Sequence, residues 1–198
     1  MKSIKIIPRN LRQLYLKKCR SVFDIAKKFH CSENKINYWL RKFKIPKRSI
    51  SEAIYIKNNP KGDPFKFVEP KDFESAKLFG LGLGLYWGEG NKANKTTVRL
   101  GNSDPNLLKA FIKFLTRFFC IDKKDLKFHL HIFSDIDVKE AQDYWMKQLA
   151  IKKSQFYKPF VTKSGKLGTY RVKSRYGVLT LYYGNVKLKN ILINLLPL

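Results

Sequence analysis

Acidic residues are scarce in this sequence of 198 residues, because 15 Asp and Glu stand against 41 Lys and Arg, a formal net charge of +26. Lysine outnumbers arginine 32 to 9, which base composition alone can produce, but the deficit of acids does not depend on that choice. A fold with this imbalance repels itself unless a polyanion neutralises it. Nucleic acid is the first candidate partner, and an anionic membrane surface is the second.

Cysteines and long apolar runs are also few. The three cysteines, at positions 19, 31 and 120, are odd in number and widely spaced. Their spacing predicts neither a disulfide framework nor a zinc site, and this fits a protein of the reducing cytoplasm. The longest apolar run, residues 78–88, has eleven residues, whereas a bilayer span needs about 20. The N-terminus shows no secretory signal. We therefore expect a cytoplasmic, nucleoid-associated protein with no membrane partner.

The charge is unevenly distributed along the chain. Residues 1–60 carry a net charge of +13, residues 61–74 carry −1, and the remainder carries +14. The nearly neutral stretch is rich in proline and glycine, which are typical of turns and breaks. This pattern predicts a small domain over residues 1–58, a linker over residues 59–74, and a larger domain over residues 75–198.

Two helices joined by a short turn are predicted near the N-terminus, over residues 21–29 and 32–43. Ser21 and Asp24 have the spacing of a capping pair, and Ser32 is suited to cap the second helix. One face of the second helix is apolar, and its other face is polar and basic. Polar groups on such a face can read base edges in a major groove, and the surrounding cations can hold phosphates.

This segment resembles the helix-turn-helix modules of resolvase-like and regulator proteins over residues 22–40, with His30 at the turn position where those modules usually have glycine. The resemblance implies a small all-α domain that binds double-stranded DNA. The DNA-contacting residues are expected to be Asn34, Lys35, Asn37, Tyr38, Arg41, Lys42, Lys47 and Arg48. A small helical bundle with a solvated basic face is the alternative interpretation.

Helices and strands alternate through the rest of the chain. Helical periodicity predicts helices over residues 74–87, 104–119, 137–149 and 186–196. Alternation of apolar and polar residues predicts strands over residues 96–100, 126–133, 170–172 and 178–183. This order is typical of an α+β domain.

The first helix of this domain carries glycines at regular spacing. Gly80, Gly84 and Gly88 lie at i, i+4 and i+8, so they share one face, although each glycine costs a helix about 1 kcal/mol relative to alanine. Such a stripe allows a second helix to approach closely. Two copies packed in this way would bring two Glu89 carboxylates together. Paired acids in a basic protein can hold Mg²⁺ or Mn²⁺ beside a phosphate.

The heptapeptide Gly-Leu-Tyr-Trp-Gly-Glu-Gly at residues 84–90 resembles the LAGLIDADG signature of homing endonucleases. Residues 98–105 and 154–159 are also similar to that family, so the resemblance covers residues 75–198. It implies a LAGLIDADG-like domain that combines helices with an antiparallel sheet. In that family the signature helix forms the dimer interface, and its last acid, here Glu89, binds the catalytic metal. The first Asp of the signature is replaced by tryptophan in this chain.

The single copy of the signature implies a homodimer that cuts double-stranded DNA at a roughly palindromic site. Strands of the family form a saddle over the DNA, and their outward residues read the target. The residues that assist cleavage are expected among Lys95, Arg99, Gln155, Arg171 and Lys173, and Arg171 and Arg175 are also expected to contact DNA. Two alternatives stay open: a DNA-binding regulator that has lost cleavage, and a maturase that binds intron RNA.

Overall fold

The structure is a computed structural model, and it describes residues 6–164 and 174–197. The chain divides into two compact units, Met1–Pro64 and Phe65–Leu198, each with a hydrophobic core of its own. Among the described residues, no helix combines the length and the apolar character that crossing a membrane requires.

The described residues of the first unit form helices and connecting turns. The helices are α1 (Pro8–Arg12), which continues into a wider π turn (Gln13–Lys17), α2 (Val22–Phe29), α3 (Glu33–Lys42) and α4 (Ile50–Asn58). Leu11, Ile25, Ile36 and Leu40 are buried together in its core. Apolar residues three and four apart on α2 and α3 therefore fix how these two helices pack.

Local side chains set where α2 and α3 begin. The Ser21 hydroxyl accepts from the Asp24 main-chain N–H at 3.0 Å, and the Asp24 carboxylate accepts from the Ser21 main-chain N–H at 3.2 Å. The predicted capping pair is thus confirmed. The hydrogen bonds from Ser21 lower the pKa of Asp24. Ser32 caps α3 by accepting from the Lys35 main-chain N–H at 3.3 Å.

The second unit is a mixed α+β domain. Its elements follow in the order α5 (Phe73–Glu89), β1 (Thr97–Asn102), α6 (Pro105–Phe119), β2 (Lys127–Phe133), α7 (Val138–Leu149), β3 (Phe160–Thr162), β4 (Val178–Gly184) and α8 (Val186–Asn194). These strands form one sheet in the order β1–β4–β2–β3. The prediction of an α+β domain is confirmed.

The sheet is not antiparallel throughout. Strand β4 runs antiparallel to both β1 and β2, but β3 pairs parallel to β2, with His131 opposite Phe160. The expectation of an antiparallel sheet is therefore wrong at this edge. The physical reason is that α7 lies between β2 and β3 and returns the chain to the end of the sheet where β2 began, which a short hairpin cannot do.

One face of the sheet is buried against helices, and the other is open. The buried face contributes Val98, Leu100, Phe128, Leu130 and Leu181 to a core that includes Phe111, Phe114 and Phe118 of α6. Side chains alternate between the two faces of a strand. The half-exposed residues on the other side, which we call the open sheet face, are Thr97, Arg99, His129, His131, Thr180 and Tyr182.

Residues 65–74, which the sequence places in the linker, pack on the second unit. The Lys66 main-chain N–H donates to the carbonyl of Phe119 at 3.0 Å, and the Val68 N–H donates to the carbonyl of Phe118 at 2.8 Å. Asp72 then caps α5 by accepting from the main-chain N–H of Ser75. The compact second unit accordingly begins at Phe65, inside the predicted linker.

Candidate functional site

The outer face of α3 is available for contact with another molecule. Five of the residues expected to bind DNA lie there and are exposed: Asn34, Lys35, Tyr38, Arg41 and Lys42. Asn37 is half-buried, and Lys47 is exposed in the segment that follows α3. The buried residues of α3, Ile36 and Leu40, lie on the opposite side and hold the helix against α2.

The turn between α2 and α3 adopts the geometry that glycine usually provides. His30 has φ 50° and ψ 49°, in the left-handed region. Its main-chain N–H and that of Cys31 donate to carbonyls of the last turn of α2. A residue with a Cβ can occupy this region, at a cost of about 1–2 kcal/mol. The departure at His30 therefore leaves the turn intact.

Aromatic rings and one lysine form a small cluster on the exposed side of α3. The Lys42 Nζ lies 4.9 Å from the centre of the Trp39 ring and 5.8 Å from that of Tyr38. Trp39 stacks in turn on Phe43 at 5.0 Å. The ammonium group is thus held over the rings, and this arrangement limits its motion beside the exposed Tyr38.

Arg48, which the sequence places among the phosphate-contacting residues, also bonds within the chain. Its guanidinium donates to the carbonyls of Tyr15, Cys19 and Arg20, and it lies 4.1 Å from the centre of the Tyr15 ring. Its main-chain N–H also donates to the Tyr15 hydroxyl at 3.0 Å. The three side-chain bonds satisfy carbonyls at the end of the first helical segment and use three of the guanidinium N–H donors of Arg48.

The glycines of α5 lie on two different faces. Gly80, Gly84 and Gly88 are exposed, and a Cβ built on any of them would meet no atom within 4 Å. Leu81 and Trp87, which flank this stripe, are 50% and 49% exposed. Gly82 faces inward, where a Cβ would collide with the ring of Phe114. Packing within the described chain therefore requires Gly82 but none of the three outer glycines.

Glu89 ends α5 and is exposed. Within the described part of the chain, no hydrogen bond or ion pair occupies its carboxylate. The turn that follows leads into β1: Gly90 pairs with Leu100, and the Asn91 N–H donates to the carbonyl of Arg99 at 3.0 Å. With no partner among the described residues, the Glu89 carboxylate can bind a cation.

Cations surround the turn after Glu89. Lys92 donates through Nζ to the carbonyl of Trp87 at 2.6 Å, which caps the end of α5. Lys95 is exposed in the same connection, and Arg99 lies within β1, where its carbonyl accepts from the Asn91 N–H. The structure thus brings the predicted assisting residue Arg99 near the Glu89 end of α5 and places Lys95 in the connection that follows this helix. A phosphate is the anion that suits such a group of cations.

Lys189 of α8 belongs to the same region and is absent from the sequence prediction. It is buried, and its Nζ donates to the Tyr86 hydroxyl at 2.5 Å and to the Asn91 carbonyl. Burial, together with the charges of Lys92 and Arg99, lowers the pKa of Lys189, and burial raises the pKa of Tyr86 to about 12. Lys189 lies on the apolar side of α8, beside buried leucines. This sequence pattern is the signal from which its burial could have been predicted.

Gln155, a predicted assisting residue, is buried and bonds to main-chain groups. Its amide nitrogen donates to the carbonyls of Lys123 and Leu126, and its amide oxygen accepts from the Lys152 N–H at 3.0 Å. The amide satisfies main-chain groups next to β2, and a catalytic role for Gln155 stays a prediction. These bonds use both N–H donors of the amide and one of the two acceptor positions of its oxygen.

Arg175 is exposed and turned toward α7. It lies 4.0 Å from the carboxylate of Glu140 and 5.4 Å from the ring of Tyr176. An exposed pair at that distance is weak, so this arginine stays available to a phosphate. The predicted residues Arg171 and Lys173, together with the strand predicted over residues 170–172, lie outside the described residues.

The open sheet face combines one guanidinium with several rings. Arg99 lies over the ring of Tyr182 at 5.1 Å, and Tyr157 meets the same ring edge-on at 5.7 Å. On β2, the Nε2 of His131 lies 2.7 Å from the Thr162 hydroxyl.

In the described ranges, no three His, Cys, Asp or Glu side chains are grouped to hold a metal ion. A metal site built on Glu89 therefore needs donors from outside these ranges, such as a second copy or a substrate phosphate.

Comparison with known proteins identifies no relative of this chain. No protein-family model, curated protein or solved structure matches the chain. The assignment of a function therefore depends on the residues described above.

Proposed function

We propose that this chain is a site-specific endonuclease of the LAGLIDADG type, which acts on double-stranded DNA as a homodimer with Mg²⁺ or Mn²⁺. The observation that carries the proposal is the outer face of α5. It combines three exposed glycines that no contact within the described chain requires with an acid, at the end of the same helix, that has no partner among residues 6–164 and 174–197.

The exposed glycines support pairing with a second copy. Each lowers helix stability by about 1 kcal/mol relative to alanine, so together they cost about 3 kcal/mol. A second helix that packs along the stripe can approach until the two main chains nearly touch, which adds contacts that alanine would block. Another copy of the same chain offers a complementary surface, because it carries the same glycines with Leu81 and Trp87 beside them.

Glu89 suits the metal that this reaction requires. Its carboxylate is exposed and has no competing partner in the described residues. Mg²⁺ is commonly held by one or two carboxylates together with waters and substrate phosphates, and a homodimer supplies two copies of Glu89. When bound, the ion stabilises negative charge on a phosphodiester. Lys92 and Arg99 lie near the same end of α5 and provide charge for orienting a phosphate.

Two surfaces support double-stranded DNA as the substrate. The open sheet face presents Arg99, His129 and Tyr182, which can contact base edges and phosphates. The outer face of α3 presents the polar and basic groups of a recognition helix. A net charge of +26 strengthens binding to any polyanion and makes it sensitive to salt.

The test compares DNA ends made by the native protein and by Glu89→Gln. Host genomic DNA is incubated with each protein in Mg²⁺, and the new ends are sequenced. Glu74→Gln is a matched control, because it removes an exposed carboxylate from the first turn of the same helix. The proposal expects ends at one or a few sites with the native protein and with Glu74→Gln, and none with Glu89→Gln.

A DNA-binding regulator is the second candidate function. It is favoured by the first unit, whose capped helices and exposed recognition face need no metal to bind DNA. Duplex fragments retained on the native protein without new ends would support this candidate and make Glu89 a structural residue. Preferential retention of structured intron RNA would support the maturase alternative instead.

A further inference from the structure

Lys189 is the one charged side chain that is buried among residues 6–164 and 174–197, with 1% of its surface exposed. Lys189 lies on α8, and its Nζ donates to the Tyr86 hydroxyl and to the Asn91 carbonyl. These two partners lie on either side of Glu89 in the sequence. The charged groups that act on Nζ are Lys92 and Arg99, both of them cations.

Stability alone does not account for a lysine at this place. A buried ammonium group loses its hydration, and here no acid among the described residues compensates for the loss. The surrounding positive charge adds to the penalty and lowers the pKa of Lys189. Methionine, which is unbranched and flexible, would fill similar space without a charge. A lysine at this buried position, with hydrogen bonds to two separate segments, indicates a role for those bonds.

The main chain on both sides of Glu89 is fixed at several points. Gly90 pairs with Leu100 of β1, and the Asn91 N–H bonds to the Arg99 carbonyl. A Cβ on Gly90 would collide with Tyr86, so the main chain passes directly against that ring. Lys189 adds a further tie by joining the Tyr86 side chain to the Asn91 main chain.

We propose that Lys189 is a positioning residue for Glu89, because by tying Tyr86 to Asn91 it fixes the turn from which the Glu89 carboxylate reaches a divalent cation. This inference rests on the proposed function, in which Glu89 is a metal ligand. Lys189 acts through Glu89 and does not itself touch the substrate. Removing a group that orients a metal ligand typically weakens metal affinity or activity by about 10–100-fold.

The test substitutes Lys189→Met in the full chain. Lys187→Met is the matched control, because Lys187 is exposed on the same helix and its substitution removes the same charge. Mn²⁺ binding is measured by electron paramagnetic resonance on each protein bound to a duplex that the native protein retains, and duplex affinity is measured by fluorescence anisotropy. Lys189→Met should bind Mn²⁺ about 10–100-fold more weakly than Lys187→Met, with equal duplex affinity.

The outcomes separate this inference from the proposed function. Unchanged Mn²⁺ affinity in Lys189→Met, with Mn²⁺ bound by the native complex, overturns the positioning role and leaves the nuclease proposal standing. A native complex that binds no Mn²⁺ overturns both.

A second variant serves if Lys189→Met does not fold. Tyr86→Phe removes the hydroxyl that accepts from Lys189 but keeps the ring that stacks on Phe111 at 5.8 Å. It should also weaken Mn²⁺ binding without loss of duplex affinity, and an unchanged Mn²⁺ affinity would count against the positioning role.

Discussion

Glycine occurs on both the inner and the outer face of α5, but the surroundings of the two faces differ. On the inner face, Gly82 is required because the ring of Phe114 occupies the space of a Cβ. On the outer face, Gly80, Gly84 and Gly88 have open space around them, so alanine would fit and would favour the helix. Neighbours within the described chain thus explain the inner glycine, whereas for the outer three the explanation is the proposed homodimer.

The largest expected effect is on the inner face. Gly82→Leu forces apart α5 and α6, whose side chains are already packed, and overpacking of this kind destabilises a protein by about 3 kcal/mol. Urea unfolding followed by circular dichroism measures the loss. Gly84→Leu is the matched control on the outer face, and equal destabilisation by the two variants would mean that the faces do not differ.

The second prediction concerns association. Gly84→Leu places a bulky side chain on the stripe that the proposed homodimer uses, and it should raise the dissociation constant of the dimer at least about tenfold, which corresponds to about 1.4 kcal/mol. Sedimentation velocity over a range of concentrations measures this change. If the native protein and the variant show the same monomer–dimer distribution, another surface or partner explains the stripe.

The third prediction concerns the monomer. Gly84→Ala should stabilise the dissociated chain by about 1 kcal/mol, because alanine reduces the entropy lost by the helix and meets no atom. Thermal unfolding at a concentration below dimer dissociation measures the gain. A loss of stability there would show that the outer face contacts another part of the chain.

The smallest expected effect on stability concerns a position whose main-chain conformation favours glycine but which has another residue. His30 lies in the left-handed region in the turn between α2 and α3. His30→Gly should stabilise the chain by about 0.5–1 kcal/mol, since relief of the left-handed conformation is partly offset by the greater freedom of glycine when unfolded. Ala150→Gly, at φ 47° after α7, should act in the same direction. Chemical denaturation of both variants checks the sign.

Much of the local structure could be predicted because local chemistry controls it. Asp104 and Pro105 place the start of α6, and the capping pair at Ser21 places the start of α2. Strand β3 was not predictable, since its three residues have no clear alternation and pair only after the α7 crossover. The spacing of Gly80, Gly84 and Gly88 predicted their common face, but not that this face is exposed.

The candidate site was less predictable than the fold. The signature-like segment placed Glu89 at the end of a helix, where the structure also has it. Gln155 and Arg48 have the chemistry of substrate-binding residues, and the sequence offers no sign that main-chain carbonyls occupy them. Conversely, Lys189 looks like one of many lysines until α8 is packed against the end of α5.

The sequence by itself determined what depends on composition and short spacing: the excess of positive charge, the capped helices, the alternating strands and the glycine stripe. Only the tertiary structure decided which polar groups are free. Arg48 bonds to Tyr15 across 33 residues and Lys189 bonds to Tyr86 across 103, while Glu89 keeps no partner in the described residues. The reason is physical: a donor is used by whichever carbonyl folding brings within about 3 Å, and no local pattern encodes that distance.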